Sequence, residues 1–384
     1  MRAARVMNKY DNFENMTDFN NLYNAHLECR KGKRRKNSVA LYDIRALECT
    51  EYLQKMLRNR TYRMDGYNTF HINERGKMRE IKSINYKDRV VQKCLTKYII
   101  KEVVFKSFVY DNGAFVKGKG TSFALKRLKR HLTEYVNKNG PEGFALVSDM
   151  KEYYDSIQHD RINELYRKYF MDERIIQFIK YIHSTTGGTK GVPLGNELSQ
   201  VDALLMLNEL DHFIKEKLQI KQYGRYSDDF YLLSSSREYL EKCLEKIDKK
   251  IVENDMQLNK KKTKIVKLSD GFTFLGYKVY ISNTGKVIFK VKKQKKIAEK
   301  RRLRKQFKKV ENGEMSMDDA RKSYQSWRAH VEFGNTYYML QELDCYFYEI
   351  FEKYLNNEEK KRFELLKKRR NQRKKKRRSR CQDY

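Results

Sequence analysis

The stretch YGRYSDDFYLLS, residues 223–234, sets two adjacent acids between two short apolar runs. It reads as two strands around a Ser227-Asp228-Asp229 turn. A pair of acids in a turn is ordinarily a solvated surface feature. Here Tyr226 precedes it and Phe230, Tyr231, Leu232 and Leu233 follow. Charge held among apolar strands is costly unless something positive sits beside it. About eighty residues earlier the pattern recurs, where GFALVS (143–148) is an apolar strand run ending at Asp149. Carboxylates at strand ends and in tight turns have fixed geometry. They suit hard divalent cations such as Mg²⁺, which take carboxylate oxygens and keep water. Phosphoryl transfer from a nucleoside triphosphate uses two such ions about 3.5–4 Å apart, one activating the attacking hydroxyl and one neutralising the leaving pyrophosphate.

Composition points to an anionic partner. Among 384 residues, 84 Lys and Arg stand against 50 Asp and Glu, a formal net charge of +34. That excess repels itself, and the phosphate backbone of nucleic acid is the partner that neutralises it. A membrane surface is the rival, but no apolar run approaches the ~18 residues of a spanning helix. The first residues, MRAARVMNKYDNFENMTDFN, lack the apolar core of a signal peptide, so a cytoplasmic protein is expected. A 40% hydrophobic content supports a sizeable core in two or three subdomains. With only Pro141 and Pro193, collagen-like and proline-rich disordered classes are excluded. The six cysteines are scattered without CxxC, and no HExxH occurs, so reduced thiols are expected rather than zinc ligands.

Around these features the chain reads as α+β. Residues 1–62 are helical and charged, with a basic run at Lys31–Lys36. Residues 67–84 alternate like a hairpin turning at Asn73–Gly76. A helix is predicted over DRVVQKCLTKYIIKEVV (88–104) and a basic helix over FALKRLKRHLTEYV (123–136), capped by Thr121 or Ser122. A glycine-rich segment, Gly187–Gly195, leads to a helix over 198–217, with Leu198, Val201, Leu205, Leu210 and Phe213 on its apolar face. Beyond about residue 285 the chain is predicted helical and very basic. The block Lys360–Arg380 reads both as a solvated tail and as a nucleic-acid arm. No internal repeat is evident.

Seven motifs, in order across about residues 15–340, resemble those of reverse transcriptases. SDMKEYYDSI (148–157) resembles the first catalytic motif and YSDD (226–229) the YxDD box. GVPLGNELSQ (191–200) is similar to the nucleotide-binding motif between them. LNKKKTKI (258–265) and FLGYK (274–278) resemble the motif after the catalytic box and the primer grip. KMREI (77–81) and DRVVQ (88–92) resemble fingers motifs. Most relatives carry QGxxxSP where this chain has LGNELSQ (194–200), which is similar to the GxxxSQ form of diversity-generating retroelements. KGKGTSFALKRL (117–128) and SWRAHVEFGNTYYML (326–340) resemble that group too. Val201-Asp202 departs from it, since small or apolar residues are usual there.

The resemblance implies a right-hand polymerase fold: an N-terminal extension and fingers over 1–142, a palm with an antiparallel sheet over 143–283 with a fingers-like insert around 160–200, and a helical basic thumb and tail over 284–384. It implies an RNA-directed DNA polymerase using two Mg²⁺ ions, with Mn²⁺ as an alternative. Asp149 and Asp228 would ligate both metals, with the Met150 carbonyl. Asp229 would support the metal at the primer end. Asp155 reads equally as a helix cap and as a functional residue. Tyr154 would be the steric gate against a 2′-hydroxyl. Lys77 and Arg79 would grip the triphosphate. Leu194, Gly195 and Gln200 would face the nucleotide. Leu194 stands where relatives have glutamine, which implies error-prone copying, notably at template adenines. Lys262 is the candidate general acid, although it sits in a lysine run. Phe274, Leu275, Gly276 and Tyr277 would grip the primer.

Implied partners are an RNA template, a DNA or RNA primer, dNTPs, and a basic accessory protein or structured noncoding RNA. A non-enzymatic basic RNA-binding protein would explain the charge but not the ordered carboxylates, and an RNA polymerase would share the palm but not FLGYK and SQ. Two biological settings share the chemistry: mutagenic retrohoming in a diversity-generating retroelement, and antiviral defence built on a dedicated noncoding RNA. No fused endonuclease or RNase H motif is seen.

Overall fold

Alternating apolar runs and amphipathic segments fold as an α+β protein of antiparallel sheets flanked by helices, as expected. The computed structural model describes residues 9–74 and 77–380, without the side chains of Glu74, Lys77 and 373–380. Two compact units result. One comprises residues up to His131 with Phe144–Ile265, and the other comprises Leu132–Gly143 with residues from Val266 onward. No described helix is long and apolar enough to cross a membrane.

In the first unit, helices Phe19–Cys29, Asn37–Ile44, Ala46–Arg58 and Tyr86–Leu95 pack on one another. Asp18 starts the first of these by accepting from the Asn21 amide at 2.8 Å. Leu22, Leu53, Leu57, Val90, Val91 and Leu95 fill the core between them. Strands β1 (Tyr67–Glu74) and β2 (Lys77–Ile84) form the expected hairpin, in register from Tyr67↔Ile84 to Glu74↔Lys77. Residues 75–76 of its predicted turn lie outside the described residues.

The central sheet contains β3 (Phe144–Ser148), β4 (Tyr223–Tyr226), β5 (Asp229–Ser234) and β6 (Lys264–Lys267), in the order β4-β5-β3-β6. Its middle strands are almost wholly buried, which is why GFALVS and FYLLS read as continuous apolar runs.

Two predicted helices prove segmented. The one over 88–104 starts at Tyr86 and passes through a wide turn at Thr96–Ile100. The one over 198–217 starts at Glu197, breaks at Leu207 and resumes at Asn208–His212 before a second wide turn, Phe213–Lys217. Ile214, rather than Phe213, completes its buried face. The basic helix starts at Thr121, so neither Thr121 nor Ser122 is an external cap.

The second unit carries a three-stranded antiparallel sheet of β7 (Phe272–Phe274), β8 (Tyr277–Ile281) and β9 (Val287–Val291). Strand β9 corrects the expectation of helix from 285. Helix begins only at Lys293, because Val287, Phe289 and Val291 alternate at strand period. Helices Lys293–Glu311, Met317–Glu332, Tyr337–Ile350 and Asn357–Arg380 share a core of Leu303, Tyr324, Phe347, Phe351 and Phe363. The basic block is therefore helical, and its first turns are anchored by Phe363 and Leu366.

Candidate active site

The β4–β5 hairpin closes with Tyr226 opposite Asp229, leaving Ser227 and Asp228 as a two-residue turn. Ser227 has φ +58°, a left-handed conformation that costs a non-glycine residue about 1 kcal/mol or more. β3 runs antiparallel to β5, with Ser148 opposite Phe230. One further step along that register puts Asp149 opposite Asp229. Two strand ends and one turn thus bring Asp149, Asp228 and Asp229 together, and the side chains of Asp149 and Asp229 share a hydrogen bond.

Residues 257–263 complete the site from the other side. The Asn259 amide donates to the Asp149 carbonyl at 2.8 Å, and the Lys151 amide donates to the Gln257 carbonyl at 2.9 Å. Met150 is buried and bridged to Leu258, and Ser148 Oγ meets Thr263 Oγ1 at 2.7 Å. Lys262 Nζ donates to Asp149 Oδ2 at 2.7 Å. Of the predicted lysine run, Lys262 is thereby the residue that reaches the carboxylates.

The electrostatics are those of crowded acids. Burial first, then the charge of Asp149, pushes the Asp228 carboxyl up. Burial, the hydrogen bond with Asp149 and the charge of Asp228 push Asp229 up as well. Burial would lower Lys262, but the hydrogen bond and charge of Asp149, with Asp229 and Asp228 behind, raise it, so it stays a cation. Among the described residues no group of three or more His, Cys, Asp or Glu side chains is arranged to hold a metal ion. The donor set nevertheless fits one. It is all oxygen, partly desolvated and short of positive charge, and an added cation would relieve the repulsion that raises both acids.

Sequence reasoning missed what holds the turn. Arg225, fully buried in β4, pairs with the equally buried Asp211 through Nη2–Oδ2 at 2.6 Å and Nε–Oδ1 at 2.7 Å. Its Nη1 donates to the Ser227 carbonyl at 2.9 Å and its Nη2 to the Leu204 carbonyl at 3.2 Å. Tyr223 also donates to Asp211. This guanidinium fork fixes the strained residue before Asp228. A signal existed: a charged residue inside a buried strand, and acids on an otherwise apolar helix.

The backbone of Arg225 is tied in turn to the segment at 111–113, with Arg225 N–Asp111 O at 3.1 Å and Gly113 N–Arg225 O at 2.9 Å. Asp111 is held by Arg127 and Lys215 at 2.6 and 2.7 Å. Beyond Arg127, His131 reaches the Tyr231 hydroxyl at 2.9 Å. That ring lies across Gly224, where a Cβ would come within 2.6 Å of the hydroxyl, so only glycine fits.

Asp202, the departure from the family pattern, is also explained. It is 1% exposed, accepts from Tyr166 at 2.7 Å and meets His183 at 3.2 Å.

Other predicted residues gather nearby. Tyr154 is half-buried, with its hydroxyl bonded to the Ser227 side chain and burial raising it. Its carbonyl accepts from Val192 at 2.9 Å, while Gly191 donates to Ile157 at 2.8 Å, so the Tyr154 segment and the glycine-rich loop are laced together. In that loop Leu194 is half-buried and Gly195 adopts φ +101°, with a Cβ position 3.8 Å from Ile81 of β2. Gln200 follows in the next helix, half-buried. Arg79 is half-buried on β2 opposite Ile72, whereas the Lys77 side chain lies outside the described residues. Asp155 is exposed in the first turn of a short helix whose N-cap is Glu152, so it is not the cap. Phe274, Leu275, Gly276 and Tyr277 belong to the second unit, where Leu275 (φ +45°) and Gly276 (φ +83°) make the β7–β8 turn.

Known proteins give three kinds of match. Apo telomerase from Candida tropicalis, truncated from its C-terminal domain, superposes with a TM-score of 0.44 at 18% identity, over 59% of this chain and 55% of that one. Telomerase from Candida albicans with a fragment of telomeric RNA gives 0.43 at 13% identity, over 64% and 51%. Protein YkfC of Escherichia coli (strain K12) is 25% identical over 247 residues, 53% of this chain, and the match spans 64% of YkfC. The sequence model of reverse transcriptase (RNA-dependent DNA polymerase) matches residues 68–279, more than half of the chain and the segment that contains the three aspartates and the laced loop; the chain belongs to the reverse transcriptase family.

Proposed function

We propose that the protein copies RNA into DNA by two-metal phosphoryl transfer. The observation that carries this reading is the convergence of Asp149, Asp228 and Asp229 at the β3 and β5 ends, short of positive charge, within a reverse transcriptase family match. Asp149 and Asp228 would hold two Mg²⁺ ions (or Mn²⁺) with the Met150 carbonyl, and Asp229 would stand behind the ion nearer the primer end. Bound there, the ions supply activation of the 3′-hydroxyl and neutralisation of the departing pyrophosphate.

The chain's own residues do the rest. Lys262, kept protonated beside Asp149, would give its proton to the leaving group. Tyr154, held by Ser227 and Val192, would lie under the incoming sugar and reject a 2′-hydroxyl. Lys77 and Arg79 of the hairpin would hold the triphosphate, and Gly195 would let the backbone approach the nucleotide closely. Leu194 offers no hydrogen bond where relatives offer one, which supports error-prone copying and, with Gln200, a diversity-generating retroelement. Fingers and most of the palm would fall in the first unit, and the end of the palm, with the primer-grip turn Phe274–Tyr277, and the helical thumb in the second.

The test is extension of a labelled primer on RNA. We expect dNTP addition in Mg²⁺, its loss on chelation, and poor use of ribonucleotides. Equal use of both sugars would remove Tyr154 from its role.

A further inference from the structure

The glycine-rich loop 185–196 runs between two helices, Glu173–Ser184 and Glu197–Met206. Apart from an isolated bridge between Lys190 and Gln158 it has no regular structure, and Gly187, Gly188, Gly191 and Gly195 take φ from +75° to +101°. Glycines lose the most conformational freedom on ordering, so such a loop needs anchors outside itself. Its two stems are tied to each other. His183, in the last turn of the first helix, meets Asp202 of the second through Nε2–Oδ2 at 3.2 Å. The other ring nitrogen, Nδ1, meets Asn163 Oδ1 at 2.9 Å, and the Tyr166 hydroxyl donates to Asp202 Oδ1 at 2.7 Å. All four residues are buried, which fixes the plane of the His183 ring.

The middle of the loop is tied by His159, the first residue of helix His159–Arg167. Its ring stacks on that of His183, with centroids 5.5 Å apart and planes inclined by 20°. Its Nε2 lies 2.8 Å from the Gly191 carbonyl oxygen. A carbonyl only accepts, so Nε2 carries a proton and donates it to this bond. The backbone amide of His159 donates to the Thr189 carbonyl at 2.9 Å. The residue is 6% exposed, so the bond to Gly191 is shielded from water, where its loss would leave a carbonyl poorly satisfied. Gly191 and Val192 are also the residues whose amides lace the loop to Ile157 and Tyr154.

We propose that His159 is a positioning residue for nucleotide selection: by holding the Gly191 carbonyl it sets the spacing between Tyr154 and the Leu194–Gly195 end of the loop. Those are the two sides assigned above to the incoming nucleotide, so the statement rests on the polymerase reading. His159 acts through the backbone of the loop, and His183 with Asp202 sets the plane from which it acts. Without the imidazole the loop keeps its amide bonds to Ile157 and Tyr154 but loses the hold on its middle carbonyl. Rejection of a 2′-hydroxyl by contact needs walls that do not yield, and a displacement of about 1 Å at a site is enough to weaken it.

The test pairs single-turnover primer extension on RNA, which gives dNTP affinity and maximal rate separately, with hydrogen exchange of the full chain alone. His159→Leu removes the donor and keeps the bulk. We expect its dNTP affinity to fall about tenfold, its preference for deoxynucleotides over ribonucleotides to fall about tenfold, and its maximal rate to stay within about twofold of the wild type. The Gly191 and Val192 amides should exchange faster than in the wild type with no nucleotide present. His159→Gln places an amide donor at about the reach of Nε2 and should restore affinity, sugar preference and exchange, whereas the shorter His159→Asn should not. Unchanged affinity and sugar preference in His159→Leu overturns the proposal, as does a loss confined to the maximal rate. Should that variant fail to fold, the Gln and Asn variants decide, and equal behaviour of the two overturns the proposal. A wild type that extends no primer overturns the polymerase reading instead. The exchange comparison needs no activity, so unchanged exchange at Gly191 and Val192 overturns the hold of His159 on the loop by itself.

Discussion

Two groups of acids touch the β4–β5 hairpin and are compensated in opposite ways. Asp211 is buried against its own arginine, and every polar atom of the Arg225 fork is used within the protein. Asp228 and Asp229 face Asp149, and among the described residues the cation bonded to the group, Lys262, is on a side chain 61% exposed. The first arrangement is complete as folded. The second sets three carboxylates against one lysine and is short of positive charge. A carboxylate paired internally holds the turn; carboxylates left to repel one another are available for chemistry.

Removing one partner from the complete group should have the largest effect on stability. Asp211→Asn leaves Arg225 buried and unmatched, at a cost of about 3–5 kcal/mol. Denaturant unfolding reads this directly, and a loss below about 1 kcal/mol would mean the pair does not anchor the hairpin. Gly224→Ala comes next. The added methyl must displace the Tyr231 ring, at a cost of about 1–3 kcal/mol by overpacking, read as a lower melting temperature.

The open group should respond with the other sign. A carboxyl raised in the fold above its unfolded value binds its proton more tightly when folded. Its contribution is favourable below the ordinary carboxylate range of about 4 and is lost as pH rises above it. With divalent ions chelated, the wild type should therefore lose stability as pH climbs from about 4 toward neutrality, and Asp229→Asn should flatten that fall. Parallel curves for the two proteins would show that the acids do not repel as described. The smallest effect is expected from Leu194→Gln, which touches neither group. Its error frequency at template adenines should drop a few-fold, on the order of 1 kcal/mol, by sequencing of products from one RNA template.

Much of the site was legible because acids among apolar residues are conspicuous. The three aspartates, the hairpin around them and the strand ending at Asp149 were read from that contrast alone, and the family motifs supplied their order. Other features depend on distant segments and were not legible. The choice of Lys262 over Lys260 and Lys261 is made by its reach to Asp149. Thr96–Ile100 and Phe213–Lys217 keep helical periodicity while widening, so periodicity could not reveal them. Asp202 looked like an anomaly until Tyr166 and His183 were seen around it. Gln92 looked like an ordinary helix residue, since the burial of its unpartnered amide depends on segments distant in sequence. Strand β9 was hidden by the lysines that follow it.

The most direct measurement is primer extension on an RNA template by Asp228→Asn beside the wild type, each checked for folding and for RNA binding. Asn keeps the shape and removes the charge. The prediction is a variant that folds at least as stably, binds RNA as tightly, and extends the primer at least about a thousandfold more slowly in Mg²⁺, a loss of about 4 kcal/mol of transition-state stabilisation. Extension at the wild-type rate would contradict the assignment of these carboxylates to catalysis.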